Sequence, residues 1–157
     1  MRNVFEDSVD GFIQTWKSFS TRVRLFPKVE GSPLLECQVT NSILHLLDRT
    51  GPYALTSGEV EVIINATGVI HAWQSTGARE FEVKTISHLK GTGEVLAISN
   101  DIMVVDIGFP LVFGPEKGIP NGVAEGSNVS VETFPPIHGF VVSVVRDSEP
   151  IDEDQLV

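Results

Sequence analysis

A chain of 157 residues with 41% apolar and 20% charged side chains has the size of one ordinary domain or two very small ones sharing a core, and its composition excludes a disordered chain. Its net charge of −10 repels phosphate backbones, which makes nucleic acid an unfavourable partner, and no run approaches the roughly 20 apolar residues needed to cross a bilayer. Glu6 and Asp7 stand where a signal peptide would be apolar, so a cytoplasmic protein with no membrane partner is expected.

The first element is a helix over 8–19. Val9, Phe12, Ile13, Trp16 and Phe19 recur at spacings of three and four and put one apolar stripe on one face. Asp7 or Ser8 can cap its start, and Asp10 suits the positive end of the helix dipole. Such an aromatic stripe must lie on a barrel, plug its mouth or join a second subunit, so Phe12, Ile13, Trp16 and Phe19 are the candidate partner-binding residues.

From Thr21 onward the period drops to two. Strands are expected at 21–26, 34–47, 60–64, 69–73, 80–86, 94–99, 102–107, 111–113, 129–134 and 139–145, separated by turn residues such as Gly31-Ser32-Pro33 and Pro120-Asn121-Gly122. Cys37, the single cysteine, excludes an internal disulfide and falls among strand residues, as a buried inert thiol does. Lys90-Gly91-Thr92-Gly93 lacks the following helix a phosphate loop needs, and its glycines read as a bend between strands. The acidic residues after Arg146 read as a solvated tail over 147–157.

The two halves of the β region look alike. Val39-Thr40-Asn41-Ser42-Ile43-Leu44 matches Ile98-Ser99-Asn100-Asp101-Ile102-Met103 by residue type, and a Gly58 strand followed by Ile70-His71 matches a Gly126 strand followed by Ile137-His138. The fold class expected is therefore all-β: two tandem small β-barrels over 20–85 and 86–146, preceded by the short amphipathic helix within 1–19. A single β-sandwich is the alternative. In the second half, Gly93 to Ile98, the turn at Asn100, residues 102–106 and the strand after Gly126 resemble the rhythm of the OB-fold. The resemblance implies a five-stranded barrel and nothing about activity.

Chemistry is sparse. His71 and His138 hold comparable places in the two halves and would bind a ligand, a metal or a proton if an internal axis brought them together. No further residues at usual spacing complete a metal set, so no metal and no cofactor is expected. Asp48 and Asp106 end matched strands, where aspartate ordinarily accepts from turn N–H groups. Tyr53, in the connection 48–58 that is the counterpart of the Gly/Pro-rich loop 114–122, and Trp73 offer stacking surfaces near the barrel rim. With no catalytic constellation in the sequence, the expected function is a non-enzymatic interaction module that binds a protein partner or self-associates as a homo-oligomer. A small-ligand or oligosaccharide binder using Tyr53, Trp73, His71 and His138 is the alternative.

Overall fold

A computed structural model describes residues 9–27, 31–50, 58–74 and 77–144. The expected helix caps at Asp7 and Ser8, Tyr53 and the acidic tail lie outside these residues. The stripe forms helix α1 (Val9–Trp16), which tightens into a 3-10 turn over Lys17–Phe19. Nine strands follow among the described residues: β1 (Thr21–Leu25), β2 (Leu34–Val39), β3 (Ser42–Asp48), β4 (Gly58–Gln74), β5 (Glu80–Thr85), β6 (His88–Ser99), β7 (Ile102–Asp106), β8 (Pro110–Pro115) and β9 (Asn128–Val144). All nine belong to one sheet.

Three expected boundaries differ. The expected strand 34–47 is two strands joined by a two-residue turn, with Thr40 in the left-handed region at φ 53°. The expected pairs 60–64 with 69–73, and 129–134 with 139–145, are instead the single strands β4 and β9. Lys90 to Gly93 is not a bend but the middle of β6. Gly93 is required there by close approach, since a Cβ would lie 1.7 Å from the Asp106 carbonyl oxygen.

Strand pairing closes two rings. In the first, β1, β2 and β3 follow one another antiparallel, β4 lies beside β1, and β9 fills the gap between β3 and β4. In the second, β6, β7 and β8 follow one another, β9 lies beside β6, and β4 fills the gap between β8 and β9. Each ring thus holds a Greek key, with the fourth strand returning beside the first. Each is completed by a strand whose other half serves the neighbouring ring: β4 gives Gly58 to Val62 to β1 and Ile64 to Gly68 to β8, while β9 gives Asn128 to Glu132 to β6 and His138 and Gly139 to β3. The one parallel pair of each ring is β3 with β9 and β8 with β4. That aligns β3 with β8, so the matched hairpins at Asn41 and Asn100 hold different ring positions, whereas β4 and β9 correspond.

Period-two side chains fill the interior. Val60, Val62, Ile64 and Ala66 of β4, Met103 and Val105 of β7, Leu111 and Phe113 of β8, and Val129, Val131 and Ile137 of β9 share one buried cluster. The residues between them form a second, outer layer: Ile63, Val104, Val112 and Phe140 pack under Phe12 and Trp16 of α1. Helix and sheet therefore cover each other, and the strands beneath α1 are apolar on both faces. No helix among the described residues is long and apolar enough to cross a membrane.

Candidate functional site

The outward side chains of β5, β6 and β9 form two in-register rows. Glu82 lies opposite Lys90, which lies opposite Glu132; Glu80 lies opposite Thr92, which lies opposite Ser130. The alternation that buries Leu89, Val129, Val131 and Thr133 places these polar residues on the other face. On β4 the register slips between Ile70 and Ala72, so His71 is an extra residue in the ladder. This bulge aims its imidazole across β9. The result is a groove of about 610 Å³ lined by His71, Glu80, Phe81, Glu82, Lys90, Thr92, Ser130 and Glu132 together with the backbone between them.

One end of the groove is fixed by a carboxylate shared between two imidazoles. His71 donates from Nε2 to Glu132 Oε1 at 2.7 Å, and His88 donates from Nε2 to Oε2 at 2.6 Å. Both oxygens of Glu132 are thereby engaged. The hydrogen bond from His71, and next that from His88, holds the Glu132 carboxyl below the usual carboxylate range, against the opposing effect of burial. Beside it, the Thr92 and Ser130 hydroxyls are 3.1 Å apart. On the opposite face of β5 the Phe81 ring packs against buried Phe109 in an edge-type contact, with centroids 5.1 Å apart.

His71 and His138 do not meet. His138 lies opposite Asn65 on β4, six residues before His71, which is roughly 20 Å along a strand. Its Nδ1 accepts from Arg49 Nη1 at 3.4 Å, and the Arg49 guanidinium sits 5.6 Å from the centre of the Phe140 ring. Trp73 is half exposed beside Gly122, away from the groove lining. Asp48 accepts from the Thr50 N–H and hydroxyl, and Asp106 from the Gly108 N–H and Arg79, as residues that shape strand ends do. Of the helix stripe, Phe12 and Trp16 are buried against the chain's own sheet, with Ile13 and Phe19 half buried beside them. Cys37 is buried, which pushes its thiol up to about 12. Among the described residues no three His, Cys, Asp or Glu side chains are arranged to hold a metal ion.

No family model, curated protein or solved structure matches the chain. The groove is known only by its own side chains. Glu132 and its partner His88 escape sequence reasoning because the pairing of β6 with β9 joins residues about 40 positions apart. The usable signal is weak: polar residues alternate with apolar ones at 88–92 and again at 129–133.

Burial, and next the Arg49 charge, lowers the pKa of His138 from its ordinary value. A group depressed in this way binds its proton more readily in the unfolded chain, so its contribution to stability is complete above about pH 6.5 and is lost as pH falls toward the folded value. Urea unfolding followed between about pH 7.5 and pH 5.5 should show stability falling with acid, and His138→Gln should flatten that slope. An identical slope in the variant would assign the acid sensitivity to other groups.

Proposed function

We propose that the chain is a binding module made of two OB-like barrels joined by exchanged strands, and that its outer groove takes a small, uncharged, hydroxyl-rich ligand of the oligosaccharide class. The Greek-key order of both five-stranded rings supports the barrel reading. The groove itself supports the ligand reading: its volume suits a small molecule, and its polar side chains sit at positions fixed by strand register. Sugar hydroxyls both donate and accept. The carboxylates of Glu80 and Glu82 accept, Lys90 donates, and Thr92 and Ser130 do either. Three carboxylates against one lysine disfavour phosphates.

The observation that carries this reading is the shared carboxylate of Glu132, which holds two imidazoles in fixed orientations at the groove's end. A preorganised polar wall of this kind lowers the cost of ordering side chains around a ligand. The helix stripe lends less to a partner-binding role, since Phe12 and Trp16 are already occupied by Ile63, Val104, Val112 and Phe140.

Isothermal titration against a panel of neutral and charged oligosaccharides tests the proposal. Binding of a neutral glycan, weakened by more than about tenfold in Thr92→Arg with the melting temperature unchanged, is the expected result. Affinity that ignores an arginine in the middle of the groove, or no neutral glycan bound at all, would overturn it.

A further inference from the structure

We propose that β5 is a self-association edge, on which two copies of this chain pair antiparallel about a two-fold axis at Val83. This inference does not rest on the ligand reading. Among the described residues every other strand has at least two strand neighbours, whereas β5 pairs with β6 alone. Among the described residues none of the turn, loop or cap backbone hydrogen bonds involves residues 80–85. One edge of β5 therefore presents unpaired N–H and C=O groups, which template the addition of another strand.

The sequence of the edge selects its occupant. Glu80, Glu82 and Lys84 are exposed and alternate with the half-buried Phe81 and Val83. Lys84 is an extra residue against β6, where the register slips between Val83 and Thr85, yet it stays on the face of Glu82, 3.5 Å away. An added strand must therefore keep this parity, its polar residues opposite polar ones. Of the registers with two-fold symmetry, the four centred on residues 81–84 do so; centred on Phe81, the pairing sets Glu80 against Glu82 of the partner subunit. Centred on Glu82, the pairing sets that carboxylate against its own copy; centred on Lys84, it sets two ammonium groups together. Centred on Val83, it sets Glu82 against Lys84 of the partner subunit, twice, and Val83 against Val83 of the partner subunit. Only this last register has opposite charges across every charged pair it makes at these positions. The charges that discourage indiscriminate edge pairing thus favour one partner, a second copy read in reverse.

The consequence reaches the groove. Glu82 lines it, so Lys84 of the partner subunit would stand at its open side, and the β9-β6-β5 face would continue into its symmetry mate as six strands. Within one chain Lys84 lies 3.5 Å from Glu82. Pairing with a second copy would give each group another opposite charge.

Sedimentation velocity over a concentration series tests this with four samples. The unmodified chain should show a monomer–dimer equilibrium. Glu82→Lys and Lys84→Glu should each weaken the dimer by roughly tenfold or more, since each sets like charges opposite one another twice. An equimolar mixture of these two variants should dimerise again, because the lysine-only edge of one now faces the glutamate-only edge of the other. Both side chains are substantially exposed, and melting temperatures close to that of the parent chain would verify folding. A parent chain that stays monomeric at the highest concentration it tolerates, a dimer indifferent to both substitutions, or a mixture that fails to re-form would each overturn the proposal.

Discussion

Alanine at Gly93 is expected to destabilise the protein by about 3 kcal/mol or more, at or beyond the upper end of what overpacking a folded chain costs. The new Cβ would lie 1.7 Å from the Asp106 carbonyl oxygen and 2.5 Å from its carbon. Both are backbone atoms, so no change of rotamer can relieve the clash. Gly93 also sits where β6 changes partners, with Gly93 opposite Val129 of β9 and the next residue, Glu94, opposite both Asn128 of β9 and Asp106 of β7. Moving β6 away from β7 would therefore pull against the ladder it shares with β9. Gly114→Ala is the matched control, its Cβ falling 3.7 Å from Thr67 Cγ2 in ordinary contact. Loss of glycine also narrows the unfolded ensemble, worth about 0.4–1 kcal/mol in favour of the variant where the fold tolerates it. Urea unfolding should thus separate the two alanine variants widely; equal stabilities would mean that β6 and β7 part more easily than their spacing implies.

The helix was legible because its signal is local. Five apolar residues at three-four spacing mark α1 and its 3-10 extension to within a residue or two, and the same stripe requires a cover. What covers it was not legible, although a clue stands in the sequence. Residues 62–64, 102–105 and 140–142 are apolar without the alternation of a strand exposed on one face, which is how strands buried on both sides read. Ile63, Val104 and Phe140 face outward into α1, while Val62, Met103, Val105 and Val141 face the interior.

The long strands were cut in two for a physical reason. Asn65, Gly68 and Pro135-Pro136 interrupt the apolar period, and such residues ordinarily end a strand. Here they fall where β4 and β9 pass from one ring to the other: three residues of β9 lie between the partners of Asn65 and Thr67, where β4 has one. The exchange has a further consequence for any division of the chain near residue 85. Neither 20–85 nor 86–146 contains all five strands of a ring, because the first lacks β9 and the second lacks β4. Of the groove, only His71 could be singled out beforehand. Its meaning depends on Glu132 and His88, and no spacing along the chain connects the three.

Phe12→Ala is expected to cost about 3–5 kcal/mol, the range for removing a fully buried phenylalanine. The side chain is wholly inaccessible, its ring centroid lies 4.4 Å from that of Phe140 and 6.4 Å from that of Trp16, and α1 is only eight residues long. So short a helix is marginal in water without tertiary packing. Loss of its central anchor should release it and uncover Ile63, Val104, Val112 and Phe140 together. At about 2–4 °C per kcal/mol for a chain of this size, the melting temperature should drop by roughly 6–20 °C, and a dye that binds exposed apolar surface should report the uncovered patch. Ile13→Ala, at a half-buried position on the same helix, should cost markedly less. The ordering distinguishes a stripe that covers its own sheet from one that seats a partner. In the second case Phe12→Ala would leave stability nearly unchanged and abolish association instead, so a stable Phe12→Ala variant that has lost a partner would refute the packing of α1 described here.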